Sequence, residues 1–317
     1  MSSEKEKFNL TNWEIVSVNP IDKNWDWKDM FCFWSVGLQS IMSFALIASL
    51  YFVYNLNFYE VLFGSLLASL LVSYLSYIIG KPSQKHGIPF PVFLRVSSGY
   101  QGAKFISLIR GIVGIFFFGV QTYFISKSIG YLIRISLFQF DSEILNNDIF
   151  FNYFMTMNLI DWVSFVFTIL IQYFLFSRGQ KFIRNFINFS ALFVYLGLLL
   201  FFVVLIADPE LFVMETFISK LNLESGFTDF QLKNMIGITG TLFAYFSILI
   251  MNFGDYSRYV KSSQELLKGN LSLVVSTIIY SFLLLVIVIG VDIFFKSNLI
   301  STQNLLTNPT DIVGKIN

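Results

Sequence analysis

Between Arg110 and Lys127 no residue carries a formal charge. At about 1.5 Å of rise per residue, a helix over that interval spans roughly 25 Å, close to the thickness of a hydrocarbon core. Long basic side chains near helix ends reach back to the headgroups, so Arg110 and Lys127 mark the two faces of a membrane. Comparable apolar runs recur at 30–54, 58–80, 159–177, 185–206, 234–260 and 271–295, and the run that begins after Lys104 extends to about 138. Lipid offers no hydrogen bonds to a backbone, so spans of this length must be helices. With 55% hydrophobic and only 13% charged residues and a mean hydropathy of +0.68, no ordinary soluble domain is possible. The expected fold is an all-α integral membrane protein with seven spans.

Several function classes drop out. A formal charge of +1 provides no field to recruit nucleic acid. The single Cys32 excludes an internal disulfide, and the single His86 excludes a histidine metal cluster. There is no H-E-x-x-H, no nucleophile elbow and no pair of carboxylates within a span, so the chain does not read as an enzyme and no cofactor is expected. The loops also sort by charge. Fourteen of the 21 Lys and Arg fall in the N-terminal segment, in 81–104, and in the turns after the fourth and sixth spans. By the positive-inside rule these are cytoplasmic, and the acidic, Asn-rich 142–158 loop is extracellular. A seven-helix receptor needs an external N-terminus, which this distribution opposes; it remains the alternative to a transporter.

Polar groups inside the spans are the candidates for chemistry. Gln121 lies in the outer half of the third span with Phe117 one turn deeper, so one helix face carries an aromatic plane beside a two-sided amide. Such an amide either bridges helices or faces a ligand. The first span holds Ser35, Gly37, Gln39, Ser40 and Ser43. That run either packs a neighbouring helix closely or breaks the helix and frees carbonyls for a cation. Gly237 and Gly240, among Thr239 and Thr241, are a second candidate break. Pro82, Pro89 and Pro91 predict that 81–104 is a loop.

GIPFPVFLR, then SGYQGA, then RGIVGIFFFGVQTYF resembles the nucleobase/cation symporter family, carriers of uracil, cytosine, allantoin, hydantoins and related rings. In that family a G-x-x-F-P-V-x-x-R loop leads into a third helix bearing W-[FY]-G-[VF]-Q-[TA]; Phe117 stands where Trp is usual. Asn252-Phe-Gly-Asp255-Tyr-Ser257-Arg258 resembles its N-x-x-D-[FY]-[ST]-R signature, and Asn19-Pro20 with Trp25-Asp26-Trp27 resembles its N-P…W-x-W entry to the first helix. On residues alone, Asp255 and Arg258 also read as an ordinary interfacial pair.

The resemblance implies a multi-helix transporter of the five-plus-five inverted-repeat type, with the first seven helices present and TNPTDIVGKIN leading toward an eighth. The implied organisation is a cytoplasmic segment 1–29, a first repeat 30–206, an extracellular loop 207–233, the start of a second repeat 234–296, and a loop 297–317. It implies import of a nucleobase-like planar ring across the plasma membrane with Na⁺ or H⁺. Phe117, Gln121, Phe246 and Ser40 would meet the ring. Val36 and Gln39 would contribute to the cation site, and no metal other than Na⁺ is implied. The expected partners are the small molecule and the lipid bilayer, with no nucleic acid, and the expected state is a monomer.

Overall fold

The computed structural model of the chain describes residues 15–52, 54, 56–140, 153–155, 157–207 and 231–297. Among these the ordered architecture is helical: α1 (Trp27–Leu38), α2 (Ile41–Phe52), α3 (Phe58–His86), α4 (Phe90–Phe140), α5 (Leu159–Ser177), α6 (Gln180–Ala207), α7 (Leu232–Ser257) and α8 (Ser263–Ser297), preceded by a 3₁₀ turn at Pro20–Asp22. Six helices are long and apolar enough to cross a membrane, and α1 with α2 makes a seventh span bent by 60°. Most of 142–158, the 208–230 stretch and everything after 297 lie outside the described residues.

The first span is broken, and the serines break it. Asp26 caps α1 in a reciprocal capping box with Asp29. The helix ends at Leu38, and the Ser40 hydroxyl then accepts a hydrogen bond from the Ser43 N–H at 3.1 Å, as an N-cap does for a new helix. Both readings of the Ser and Gly run are found: the span breaks after Leu38, and Ser35 packs closely on α8 with its Oγ 3.0 Å from Ser276 Oγ.

Two other expectations are corrected. The 81–104 segment is mostly helix, because proline's cost depends on where it falls. Pro82 sits in the last turns of α3, and Pro91 sits in the first turn of α4, where its absent N–H had no intrahelical acceptor. The second correction concerns α7, which runs unbroken past Gly237 and Gly240. Thr239 and Thr241 donate to the Met235 and Gly237 carbonyls one turn back, at 2.8 and 2.9 Å, so their hydroxyls are satisfied without unwinding.

α3 packs along α7 and α8, and α1 along α8; these helices with α2 form a bundle around Trp34, Phe253, Leu266, Tyr280 and Leu284, all essentially inaccessible. α4 pairs with α5 at the side of the bundle. The pair is pinned where α5 begins: Lys127 Nζ and Arg134 Nη2 meet the buried Asp161 carboxylate at 3.0 and 2.7 Å. α6 closes the other side through Arg184 and Asn188, each 2.7 Å from Oδ1 of Asp29.

α4 bends at Gly99, whose φ of 66° and ψ of −179° belong to a region that only glycine occupies readily. No atom lies within 4 Å of a Cβ built there, so the requirement is purely one of backbone. Gly99→Ala is expected to destabilise the protein by about 1–3 kcal/mol. Gly111→Ala, in regular helix with equal space, should not. Paired thermal melts in one detergent check this, and equal melting temperatures would refute it.

Candidate binding site at the broken first helix

A cavity of about 470 Å³ opens at the break, lined by the end of α1, the start of α2, the middle of α4 and the middle of α7. That volume is in the range of small-molecule sites. Val36, Gln39 and Ser40 line it from the first span, and Phe117 and Gln121 from α4. Five of the six residues singled out from the sequence are therefore brought together. The helix break turns the α1 end toward α4, and the four-residue spacing puts Phe117 and Gln121 on one face.

Phe246 is the exception. It is buried in the bundle core, 1% exposed, with its ring edge-on to Trp34 at 6.4 Å, and it does not line the cavity. One residue is about 100° around a helix, and the lining position falls to its neighbour Tyr245. The Tyr245 hydroxyl donates to the Gly37 carbonyl at 2.9 Å and lies 2.7 Å from Ser40 Oγ, so it clasps the broken helix to α7. The sequence marks Tyr245 only weakly: a phenol amid apolar neighbours needs a hydrogen-bond partner when buried.

The polar groups of the cavity differ in how far they are committed. Ser40 is occupied by the α2 cap and by Tyr245. Gln39 Nε2 donates to the Ala191 carbonyl at 3.1 Å, while its Oε1 is buried without a hydrogen-bond partner among the described residues. The Gln121 amide, half-buried in the wall, makes no hydrogen bond among the described residues. Among the described residues it therefore bridges no helices. No group of three His, Cys, Asp or Glu side chains among the described residues is placed to hold a metal ion.

Below this cavity, toward the end of the bundle that carries the N-terminal segment, α4 and α7 are joined by Arg110 Nη1 and Asp255 Oδ2 at 2.8 Å. Phe90 N–H donates to the other carboxylate oxygen at 2.9 Å. The Asp255 side chain thus reaches α4, a partner 145 residues away in sequence. Arg258 Nε donates to the Asp255 main-chain carbonyl at 3.2 Å. The N-terminal segment crosses the same end. Val18 N–H donates to the Gly87 carbonyl at 2.8 Å, and Trp25 exchanges main-chain hydrogen bonds with Tyr259 and Lys261. Lys23 Nζ donates to the Gln84 carbonyl, and partial burial lowers its pKa.

The sequence profile of the family described as permease for cytosine/purines, uracil, thiamine and allantoin matches residues 18–316. Among curated proteins, an allantoin permease of Bacillus subtilis (strain 168) is 25% identical over 269 residues, 84% of this chain and 53% of the relative. A purine-uracil permease NCS1 of Arabidopsis thaliana is 23% identical over 97% of this chain and 48% of the relative. A putative allantoin permease of Escherichia coli (strain K12) is 26% identical over 102 residues, 32% of this chain and 21% of the relative. The chain spans about half the length of the first two relatives. No solved structure matches. A multi-pass helical bundle with a broken first span, matched over nearly its whole length by one profile, belongs to the permease family for cytosine, purines, uracil, thiamine and allantoin.

Proposed function

We propose that this protein takes part in cation-coupled import of a nucleobase-like ring, of the uracil, cytosine, allantoin or hydantoin class, across the plasma membrane. The observation that carries this reading is the Gln121 amide, without a partner among the described residues, one turn from the Phe117 ring in a cavity at a helix break. A glutamine side chain offers one donor and one acceptor to an amide-like ring edge. Stacking on an aromatic adds about 1–3 kcal/mol per ring. Phe117 supplies the plane and Gln121 the edge, with Ser40 and Tyr245 closing the wall. The unpaired Gln39 Oε1 and the main chain around Val36 are the groups this chain offers to a coupling Na⁺. On this reading α1 to α6 form the first repeat (30–206), and α7 and α8 open the second (234–296).

The test is uptake of radiolabelled uracil, cytosine and allantoin by cells that lack their own carriers and express the natural gene. Saturable uptake of one ring, lost on replacing Na⁺ with choline or on collapsing the proton gradient, is the expected result. No saturable uptake of any of the three, in cells with the protein at the surface, would overturn the reading.

The N-terminal segment is placed in the cytoplasm, on the strength of the basic-residue asymmetry. Lys85 and Tyr153 are both exposed and lie toward opposite ends of the bundle. An impermeant maleimide on intact cells should label Tyr153→Cys and spare Lys85→Cys. The buried Cys32 contributes little background. The reverse pattern would invert the orientation.

A further inference from the structure

A second cavity, of about 510 Å³, shares α4 and α7 with the first but lies nearer the N-terminal segment, where the end of α5, the start of α6, Ile15 and Trp25 complete its wall. Its charged and amide lining is Arg110, Asp255, Arg258 and Gln180, and its aromatic lining includes Trp25, Tyr256 and Phe176. Arg110 precedes Phe117 by seven residues on α4, and Asp255 follows Ile248 by seven on α7, so the two cavities are stacked about 10 Å apart along an antiparallel helix pair. We propose that this lower cavity is a second binding site for the transported ring, occupied between the central site and the cytoplasm. The inference rests on the function proposed above.

The chemistry of the walls selects the ligand. A carboxylate accepts from a ring N–H while the guanidinium beside it donates to the adjacent ring carbonyl, which is the edge that a cyclic imide or ureide presents. The aromatic walls give such a ring a face. Trp25 and Tyr256 lie 6.5 Å apart with their planes at 37°. Arg110 and Asp255 now face each other, but their side chains retain 22% and 26% exposure, and a half-wet ion pair opens at little cost to a ligand that satisfies both ends. The same contact ties α4 to the tip of α7. A ring that inserts there loosens that tie, so arrival at the lower site favours opening toward the N-terminal side.

Cysteine protection tests this, in a Cys32→Ser background that leaves no other thiol. Ile187→Cys reports the lower cavity and Ile248→Cys the central one. Both are modified by N-ethylmaleimide with and without uracil, allantoin and cytosine. The expected result is that at least one ring slows modification at both positions. Asp255→Asn, which keeps an acceptor for the Phe90 N–H, should raise the concentration for half-protection at Ile187→Cys by about tenfold while leaving Ile248→Cys unchanged. Gln121→Leu should do the opposite. Protection at Ile248→Cys alone would overturn the second site and leave the proposed function standing, whereas protection at neither overturns both. If Gln121→Leu abolishes protection at the two positions in parallel, the lower cavity merely follows the central one and the inference fails.

Discussion

Gln121→Leu should weaken binding of the transported ring by roughly five- to 150-fold while leaving the protein as stable as before. The affinity follows from burying a polar ring edge against a side chain that cannot pair with it, a loss of about 1–3 kcal/mol. The unchanged stability follows from the absence of any hydrogen bond from Gln121 among the described residues. Were the amide a bridge between helices, the opposite pattern would hold, with a lower melting temperature and an unaltered ranking of rings. Phe117→Ala should weaken every ring, because stacking is indifferent to the edge. Phe117→Trp keeps the plane, and should be tolerated. Competition by a panel of pyrimidines, purines and hydantoins, measured beside thermal stability in the same preparations, separates the alternatives. Unchanged competition in a well-folded Gln121→Leu protein would remove Gln121 from the site.

What the sequence disclosed about this site follows from the range of the forces involved. Local features were partly readable: the Ser35 to Ser43 run offered a break as one of two readings, because serine hydroxyls compete for backbone groups a few residues away. Phe117 and Gln121 share a face because helical geometry is fixed. The Arg110–Asp255 and Asp161–Lys127–Arg134 contacts were not readable, because each joins helices whose pairing only the fold decides. Arg110 and Lys127 read as membrane-face markers, and they also tie the middle of α4 to its neighbours, Arg110 to Asp255 on α7 and Lys127 to Asp161 on α5. Phe246 shows the cost of carrying a role by position alone. A shift of one residue rotates a side chain from the cavity into the core, where Phe246 meets Trp34 and Tyr245 takes the wall. The glycines were ambiguous in sequence for a related reason. Gly237 and Gly240 have open space around them and break nothing, whereas Gly99 alone adopts the conformation that bends α4.

The largest stability effect is expected at a glycine that looks unremarkable in sequence. Gly64, Ala68, Val72, Ser76 and Gly80 repeat every four residues along the buried face of α3. Small residues at that spacing let two helices approach closely in a membrane. A Cβ added at Gly80 would stand 2.6 Å from Cε1 of Phe253, a ring with no exposure that stacks on Trp34 at 5.1 Å and 18°. Trp34 in turn donates from Nε1 to Asn270 Oδ1 at 3.3 Å, so displacing Phe253 disturbs α1 a turn before the break. Helix propensity argues the other way, since replacing an interior glycine by alanine gains about 1 kcal/mol. Overpacking a fixed core costs about 1–3 kcal/mol, and more when the added group is large. The steric term should therefore win at Gly80 and be absent at Gly114, whose surroundings are empty. Gly114→Ala should leave the melting temperature unchanged or slightly raised. Gly80→Ala should lower it, and Gly80→Leu should lower it by roughly 5 °C or more, if the protein accumulates at all. A Gly80→Leu protein as stable as Gly114→Ala would mean that α3 and α7 do not meet as closely as described, and with them the floor beneath Trp34 would have to be redrawn.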